Sequence, residues 1–163
     1  MRRSLAALAL ACVALGADGA SAATTNGTLT VSATVVDACS VADTTVAFGA
    51  VSPSTGIAGP VTAGIAVTCT LGTSFSVGLG NGSNLNGGLR RMRRGLTSDY
   101  LTYELYKDVA MTSRFGDTGA SDRAAGTGLG VSATPISVYG KVPSGQTAAS
   151  GSYSDSVLIT LYY

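Results

Sequence analysis

The side chains that could do chemistry in this 163-residue chain are few, and histidine is absent altogether. That absence excludes a Ser-His-Asp triad, a Cys-His dyad, histidine metal ligands and imidazole acid–base catalysis. A glycosidase-like pair of carboxylates remains formally available, with Glu104 and either Asp108 or Asp155 as candidates. Glu104 is on the outward phase of a strand pattern and Asp155 is in a turn, so solvated structural roles are favoured. The sequence therefore predicts that the protein is not an enzyme.

Three further groups of side chains suggest binding, and each has a simpler explanation. Asp117 and Asp122 flank a loop that could hold calcium, but the ligand density of a calcium site is missing, which favours a surface turn. The arginines at 90–94 could bind anions, yet no aromatic residues are interleaved with them, which favours a solvated loop or a subunit contact. Strand alternation divides the candidate sugar-stacking tyrosines between two faces, which favours packing roles for most of them; these are Tyr100, Tyr103, Tyr106, Tyr139, Tyr162 and Tyr163. We therefore predict no metal site and no cofactor.

The first residues indicate export. Arg2 and Arg3 precede an apolar run from Leu5 to Leu15, and Ala20-Ser21-Ala22 follows in the A-x-A pattern. This predicts a Sec-type signal peptide over residues 1–22, because the apolar run is too short to span a bilayer. Its removal takes two of the ten basic and one of the nine acidic residues, leaving eight of each. A nearly neutral chain gives no reason to expect binding to nucleic acid or to an acidic membrane.

Two of the three cysteines, Cys39 and Cys69, remain after the predicted cleavage. In an oxidising compartment their pairing in a disulfide is the default interpretation. A metal or redox role would need more ligands or a C-x-x-C spacing, and the sequence has neither.

Strands joined by turns are predicted along most of the chain. Apolar residues alternate with polar ones at period two, which is typical of half-buried strands; the alternating sets are Leu29, Val31, Ala33 and Val35; Ala63, Ile65, Val67 and Cys69; Phe75, Val77 and Leu79; Leu101, Tyr103 and Leu105; Ile136, Val138 and Val142; and Val157, Ile159, Leu161 and Tyr163. Turn-rich stretches separate them, notably 80–88 and 116–130. We predict one antiparallel sandwich of about seven strands.

The first and the last alternating segments differ from the others in how they can be paired within the chain. The first alternating segment, residues 24–36, lies before Cys39 and carries nothing that commits it to the local core. The last set runs to Tyr163, so we expect the neighbouring sheet edge to be uncovered. An uncovered edge is a template for another chain.

The chain resembles the spore coat protein U family, which includes the subunits of archaic chaperone-usher (Csu-type) pili. The matching stretches follow in family order and cover nearly all of the chain after the signal peptide; they are Cys39-Ser40-Val41, Phe48-Gly49, Val67-Thr68-Cys69, residues 75–79, Arg91-Met92, residues 101–108, Phe115-Gly116-Asp117, residues 138–146 and residues 151–160. Phe115 stands where the family often has Trp, which exchanges one large apolar ring for another. The additional Arg90, Arg93 and Arg94 are less usual.

The resemblance implies an immunoglobulin-like sandwich over residues 37–163 that lacks its last strand. The N-terminal segment of the next subunit would complete it, by donor-strand complementation. Residues 23–36 would be the donor segment, with Leu29, Val31, Ala33 and Val35 inserted into the neighbour. Val157, Ile159, Leu161 and Tyr163 would form the edge of the acceptor groove. The implied partners are neighbouring subunits, a periplasmic chaperone and an outer-membrane usher.

Three functions remain open at this point. The first is a structural subunit of a surface fibre that passes through the periplasm and serves adhesion or biofilm formation. The second is a secreted carbohydrate-binding adhesin domain, and the third is a structural protein of a spore or cyst coat.

Overall fold

The computed structural model describes residues 21–57 and 59–163. The chain divides into two units, Met1–Thr34 and Val35–Tyr163. In the first unit, residues 21–34 form no helix or strand and their side chains are exposed. Residues 1–20, which are nearly all of the predicted signal peptide, lie outside the described residues, so the signal peptide stays a prediction.

The second unit is an all-β sandwich in which every strand pairing is antiparallel. Its strands are β1 (Cys39–Val41), β2 (Val61–Cys69), β3 (Ser74–Leu79), β4 (Arg90–Arg94), β5 (Tyr100–Tyr106), β6 (Ala124–Thr127), β7 (Thr134–Lys141), β8 (Tyr153–Ser154) and β9 (Ile159–Tyr162). One sheet has the order β1-β2-β7-β5-β4-β8 and the other β6-β3-β9. The predicted fold class, an immunoglobulin-like antiparallel sandwich, is confirmed.

The core forms where the alternating residues of the two sheets face each other. On β2, Ile65 and Val67 are buried while Thr62 and Gly64 are exposed. On β5, the buried and half-buried residues alternate along the whole strand. Because successive strand side chains point to opposite faces, these patterns place one apolar row per strand between the sheets. The alternation thus identified the core-facing residues of these strands correctly.

A disulfide joins the edge strand β1 to β2. The Sγ atoms of Cys39 and Cys69 are 2.01 Å apart, as predicted from their number and compartment. The two residues are also direct partners in the β1–β2 register. The bond therefore fixes β1 at the margin of the larger sheet.

Four expectations about the strands were wrong. The described residues contain nine strands, two of them very short, where about seven were expected. The arginines at 90–94 form strand β4 and not a loop. The stretch 116–130 contains β6 and a 3₁₀ turn at Ala120–Asp122. Residues 24–36 form no half-buried strand in this chain.

Candidate strand-acceptor groove

A long groove of about 920 Å³ opens between the two sheets of the second unit. Its floor is made by inward side chains of six strands, contributed by both sheets; these are Ile65, Leu79, Met92, Leu101, Tyr103, Leu105, Val138 and Ile159. Most of these side chains are less than one-tenth exposed. The groove is thus an apolar slot that runs through the core, a shape that fits a row of apolar side chains.

Two chain segments form the rims of this groove. One comprises residues 44–51, between β1 and β2, and the other residues 148–155, which include β8. The ring of Phe48 lies 5.8 Å from that of Tyr103, centroid to centroid, at a tilt of 59°. Gly140 of β7 makes room for Phe48, because a Cβ at this position would lie 2.8 Å from the ring. Phe48, one of the residues that carried the family resemblance, is therefore part of the groove wall.

Strand β9 forms one long margin of the groove. Among the described residues it pairs with β3 alone, from Leu79↔Ile159 to Ser76↔Tyr162, and it is the last strand of its sheet. A smaller depression of about 350 Å³ lies between residues 41–44, at the end of β1, and residues 155–159. The side of β9 away from β3 therefore faces a channel bordered by the end of the other sheet's edge strand.

Only two of the four residues that were predicted to form the acceptor edge lie in the groove lining. Val157 and Ile159 line the groove. Leu161 lies outside its lining but packs against the core, and Tyr163 is 65% exposed. The strand itself begins at Ile159, two residues later than the alternation suggested.

Two polar side chains of the groove lining, Tyr103 and Asp155, are paired with each other. The Tyr103 hydroxyl donates to Oδ2 of Asp155 over 2.7 Å, and Oδ1 of Asp155 accepts from Ser83 N at 3.0 Å and Asn84 Nδ2 at 2.9 Å. Burial, reinforced by the Asp155 hydrogen bond, raises the pKa of Tyr103 well above its ordinary value, so the phenol remains protonated. Because Tyr103 and Asp155 satisfy each other, they need no partner from an incoming segment, which then meets the apolar side chains of the floor.

Arg90 corrects the expectation that the arginines at 90–94 are solvated. Its side chain is 0% exposed, and its guanidinium donates to the carbonyl oxygens of Leu79, Gly80 and Phe115 at 2.6–2.9 Å. Nη1 also donates to Oε1 of Glu104 at 2.5 Å. Burial lowers the pKa of Arg90, and the Glu104 carboxylate opposes that shift. Arg90 therefore joins β4 of one sheet to the end of β3 in the other.

The remaining arginines of this strand are only partly exposed and have local partners. Arg91 lies over the Tyr100 ring with its guanidinium carbon 4.0 Å from the ring centroid. Arg93 donates to carbonyls of the 94–99 turn, and Arg94 pairs with Asp99. The sequence signal for this arrangement was present as Arg90-x-Met92, whose residues alternate in phase with the inward side of β5.

Asp117 corrects the expectation of an ordinary surface turn. Its carboxylate accepts from Nε of Arg123 at 2.7 Å and from the Tyr162 hydroxyl at 3.0 Å. Arg123 also lies over the Tyr162 ring, 3.5 Å from the centroid to the guanidinium carbon. Although partial burial opposes ionisation, the hydrogen bonds from Arg123, Tyr162 and Thr160 lower the pKa of Asp117 below its ordinary value of 3.8. The cluster braces β9 from outside the groove.

The acidic residues weighed as catalytic or calcium-binding groups have structural partners. Glu104 is the counter-ion of Arg90 and of Arg114, whose Nε lies 2.8 Å from Oε2. Asp108 accepts from the backbone of Thr112 and Ser113 in its own turn, and the Thr112 hydrogen bond is the main reason that its pKa is lowered. In the described part of the chain no three acidic or cysteine side chains cluster as metal ligands.

The tyrosines do not form one platform. Tyr103 is buried in the groove, whereas Tyr100 and Tyr106 lie half-buried on the opposite face of β5. Tyr139 is half-buried on β7, and Tyr162 belongs to the Asp117 cluster. The predicted division between two faces is confirmed.

The predicted donor residues lie outside any strand. Leu29 is 86% exposed, Val31 83% and Val35 82%, and Ala33 is also exposed. Residues immediately after them are held on the sandwich: Ala38 N donates to Thr70 Oγ1 at 3.1 Å. The segment thus presents alternating large side chains just before the point of attachment.

Fold and groove together define a class of protein: a disulfide-linked immunoglobulin-like sandwich that is open along one edge strand. Comparison with known proteins gives the family. Residues 25–160 match the Spore Coat Protein U domain, and the chain belongs to that family. The family consists of structural coat and pilus subunits, and this chain is not an enzyme.

Two relatives show what the chain is similar to. "Protein U" of Myxococcus xanthus is 35% identical, over all of this chain and 98% of that protein. Among solved structures, a chain in the CsuC–CsuE chaperone–tip adhesion subunit pre-assembly complex, from the archaic chaperone-usher Csu pili of Acinetobacter baumannii, superposes with a TM-score of 0.58 at 25% identity. The similarity covers 80% of this chain and 40% of that one. No helix among the described residues is long and apolar enough to cross a membrane.

Proposed function

We propose that this protein is a structural subunit of a surface fibre that polymerises by donor-strand exchange. The observation that carries the proposal is the apolar groove between the sheets, bordered by an edge strand that, in the described part of the chain, pairs on one side only. Residues 24–36 supply a matching insert, because Leu29, Val31, Ala33 and Val35 alternate with small polar residues. An inserted strand would pair with β9 through its backbone and place one row of side chains in the groove.

The energetics favour capture of such a strand. Each of the three larger side chains, Leu29, Val31 and Val35, contributes roughly 1.5 to 3 kcal/mol on full burial. Each backbone hydrogen bond with β9 adds about 0.5 to 1.5 kcal/mol. The gross gain rivals the 5 to 15 kcal/mol stability of a typical domain, so a subunit with an open groove is marginal. This supports a requirement for a chaperone that fills the groove before assembly.

The proposal extends to the assembly pathway. The similarity to a chain of a complex between a chaperone and a pilus subunit, from a chaperone-usher system, supports a periplasmic chaperone and an outer-membrane usher as partners. Export by the residue 1–22 signal, transit through the periplasm and display on the cell surface follow from that pathway. Adhesion or biofilm formation is the expected role of the fibre.

The test uses the alternation of the donor segment. Val31→Asp places a charge in the neighbour's groove, whereas Ser32→Asp, one residue away, leaves the same charge outside it. Incubation of each full-length chain with an acceptor lacking residues 24–35 should give a stable pair for the parent and Ser32→Asp, but none for Val31→Asp. Equal assembly by both variants, or fibre formation by the truncated chain alone, would refute the proposal.

A structural protein of a spore or cyst coat is the second candidate. The identity with "Protein U" extends over the whole chain, which supports this alternative. Immunogold labelling of intact cells separates the two: label along surface fibres supports the first, and label confined to the envelope of a differentiated cell supports the second.

A further inference from the structure

An exposed apolar patch lies at one end of the sandwich, where the β2–β3 and β6–β7 turns meet. We define the end patch as Leu71, Leu129 and Val131, which are 76%, 53% and 100% exposed. The two turns are hydrogen-bonded, Gly72 N to Gly128 O at 2.9 Å and Gly130 N to Cys69 O at 3.1 Å. The patch is therefore held in place by backbone contacts and is not a set of scattered side chains.

The β2–β3 turn also holds the chain at the point where it leaves for the donor segment. Thr70 Oγ1 donates to Val36 O at 3.2 Å and accepts from Ala38 N, and Thr70 N donates to Ala38 O at 2.9 Å. Thr73 Oγ1 donates to Oδ1 of Asp37 at 2.5 Å. Residues 36–38 are thus attached directly beside Leu71.

This attachment limits how far away a neighbouring subunit can be. Val35 is the last proposed donor residue, and only Val36 and Asp37 separate it from Ala38. Three residue steps span at most about 10 Å in extended chain. If Val35 lies in a neighbour's groove while Ala38 stays on Thr70, the end of that groove must lie within about 10 Å of the β2–β3 turn.

We infer that the end patch packs against the subunit that receives this chain's donor strand, so that each link of the fibre has a second, sandwich-to-sandwich contact. The inference rests on the proposed function and names a further part of the same assembly interface. The occupant is another copy of this chain, contacted at the end of its groove from which the donor strand emerges. Such a contact joins different surfaces of the two subunits, as a head-to-tail filament requires.

The inference is tested on a complex of one donor chain and one acceptor chain. The acceptor lacks residues 24–35, and the donor is the full chain with residues 24–36 repeated after Tyr163 to fill its own groove. The lifetime of the pair is measured by gel filtration in excess synthetic peptide of residues 24–36. We expect the donor variant Leu71→Ser/Val131→Ser to dissociate about tenfold faster or more, because burial of one large apolar side chain exceeds the 1.4 kcal/mol that corresponds to a factor of ten.

The control is Leu96→Ser in the donor. Leu96 is 93% exposed, in the β4–β5 turn, and its change to serine is the same as the change made at Leu71. Its pair should keep the parent lifetime within twofold, and both variants should melt with the parent as monomers. Equal lifetimes for the end-patch variant and the parent would overturn the inference and leave strand exchange standing. If the parent forms no pair at all, strand exchange itself fails, and the inference with it.

Discussion

Replacement of Arg90 by methionine is predicted to be the most destabilising single change on strand β4. Methionine fills a similar volume but donates no hydrogen bonds, so the carbonyl oxygens of Leu79, Gly80 and Phe115 lose their charged donor. Glu104 loses a counter-ion at 2.5 Å. A side chain that is 0% exposed cannot be replaced by water without opening the core.

The magnitude follows from these contacts. Each buried carbonyl left without a donor costs about 1 to 3 kcal/mol, and removing one partner of a buried ion pair costs about 3 to 5 kcal/mol. These figures describe overlapping effects, because Arg114 still neutralises Glu104. We therefore expect a loss of about 3 to 5 kcal/mol in the free energy of unfolding. Arg90→Lys should recover only part of it, because an ammonium group lacks the planar fork that reaches three carbonyls.

Urea unfolding of the full chain, followed by far-UV circular dichroism, measures the effect. Arg93→Met is the matched control, since Arg93 lies on the same strand and donates only to the exposed turn carbonyls of Leu96 and Thr97. Its cost should stay below about 1 kcal/mol. An Arg90→Met chain within about 1 kcal/mol of the parent would refute the role of Arg90 as a link between the sheets.

Three other perturbations are predicted from the same structure. Asp117 has a lowered pKa, so the folded chain takes up its proton less readily than the unfolded chain. The stabilisation that Asp117 contributes is therefore complete above pH 3.8 and is lost as the pH falls through the lower pKa of the folded state. Asp117→Asn should therefore reduce the loss of stability at acidic pH, measured as the midpoint of unfolding against pH, and an unchanged acidic part of that profile would contradict this. Reduction of the Cys39–Cys69 bond should lower the free energy of unfolding by about 3 to 4 kcal/mol in the chain-entropy model. Urea unfolding with and without reductant measures this loss, and coincident unfolding curves would argue against a stabilising role of the bond. Gln146→Ala should lower the free energy of unfolding by about 1 to 3 kcal/mol, because the side-chain amide of Gln146 pairs with both the N–H and the C=O of Thr102. A melting temperature within one degree of the parent would show that this pairing is unimportant.

The sequence predicted those strands in which apolar and polar residues alternate regularly. Period-two alternation located the inward rows of β2, β3, β5 and β7 because, except at Gly78, the residues between the inward ones are half-buried or exposed. The disulfide followed from the number of cysteines and the expected compartment. These features depend on local pattern and composition, which a single sequence contains.

Other features depend on contacts between distant residues and escaped prediction. The inward phase of Arg90 is set by the register Arg90↔Tyr103, and Met92 is the single apolar residue among the four arginines of β4, which is too short a pattern to predict that phase. Asp117 meets Tyr162 only because β9 pairs with β3 beside the 117–123 segment. The exposed Leu71 and Val131 come together through turns about 60 residues apart in sequence, which no local pattern specifies.

The positions of the polar links explain how an open groove can keep its shape. Two sheets normally hold together through interdigitated side chains, and a groove of about 920 Å³ removes much of that contact. Arg90 joins the sheets at the end of β3, Tyr103 holds Asp155 at the rim, and the Asp117 cluster braces β9 from the far side. A groove fixed in this way needs little ordering when a strand enters, so more of the burial energy of Leu29, Val31 and Val35 is retained as binding energy. Loosening these links should therefore weaken strand capture even where no groove-lining residue is changed.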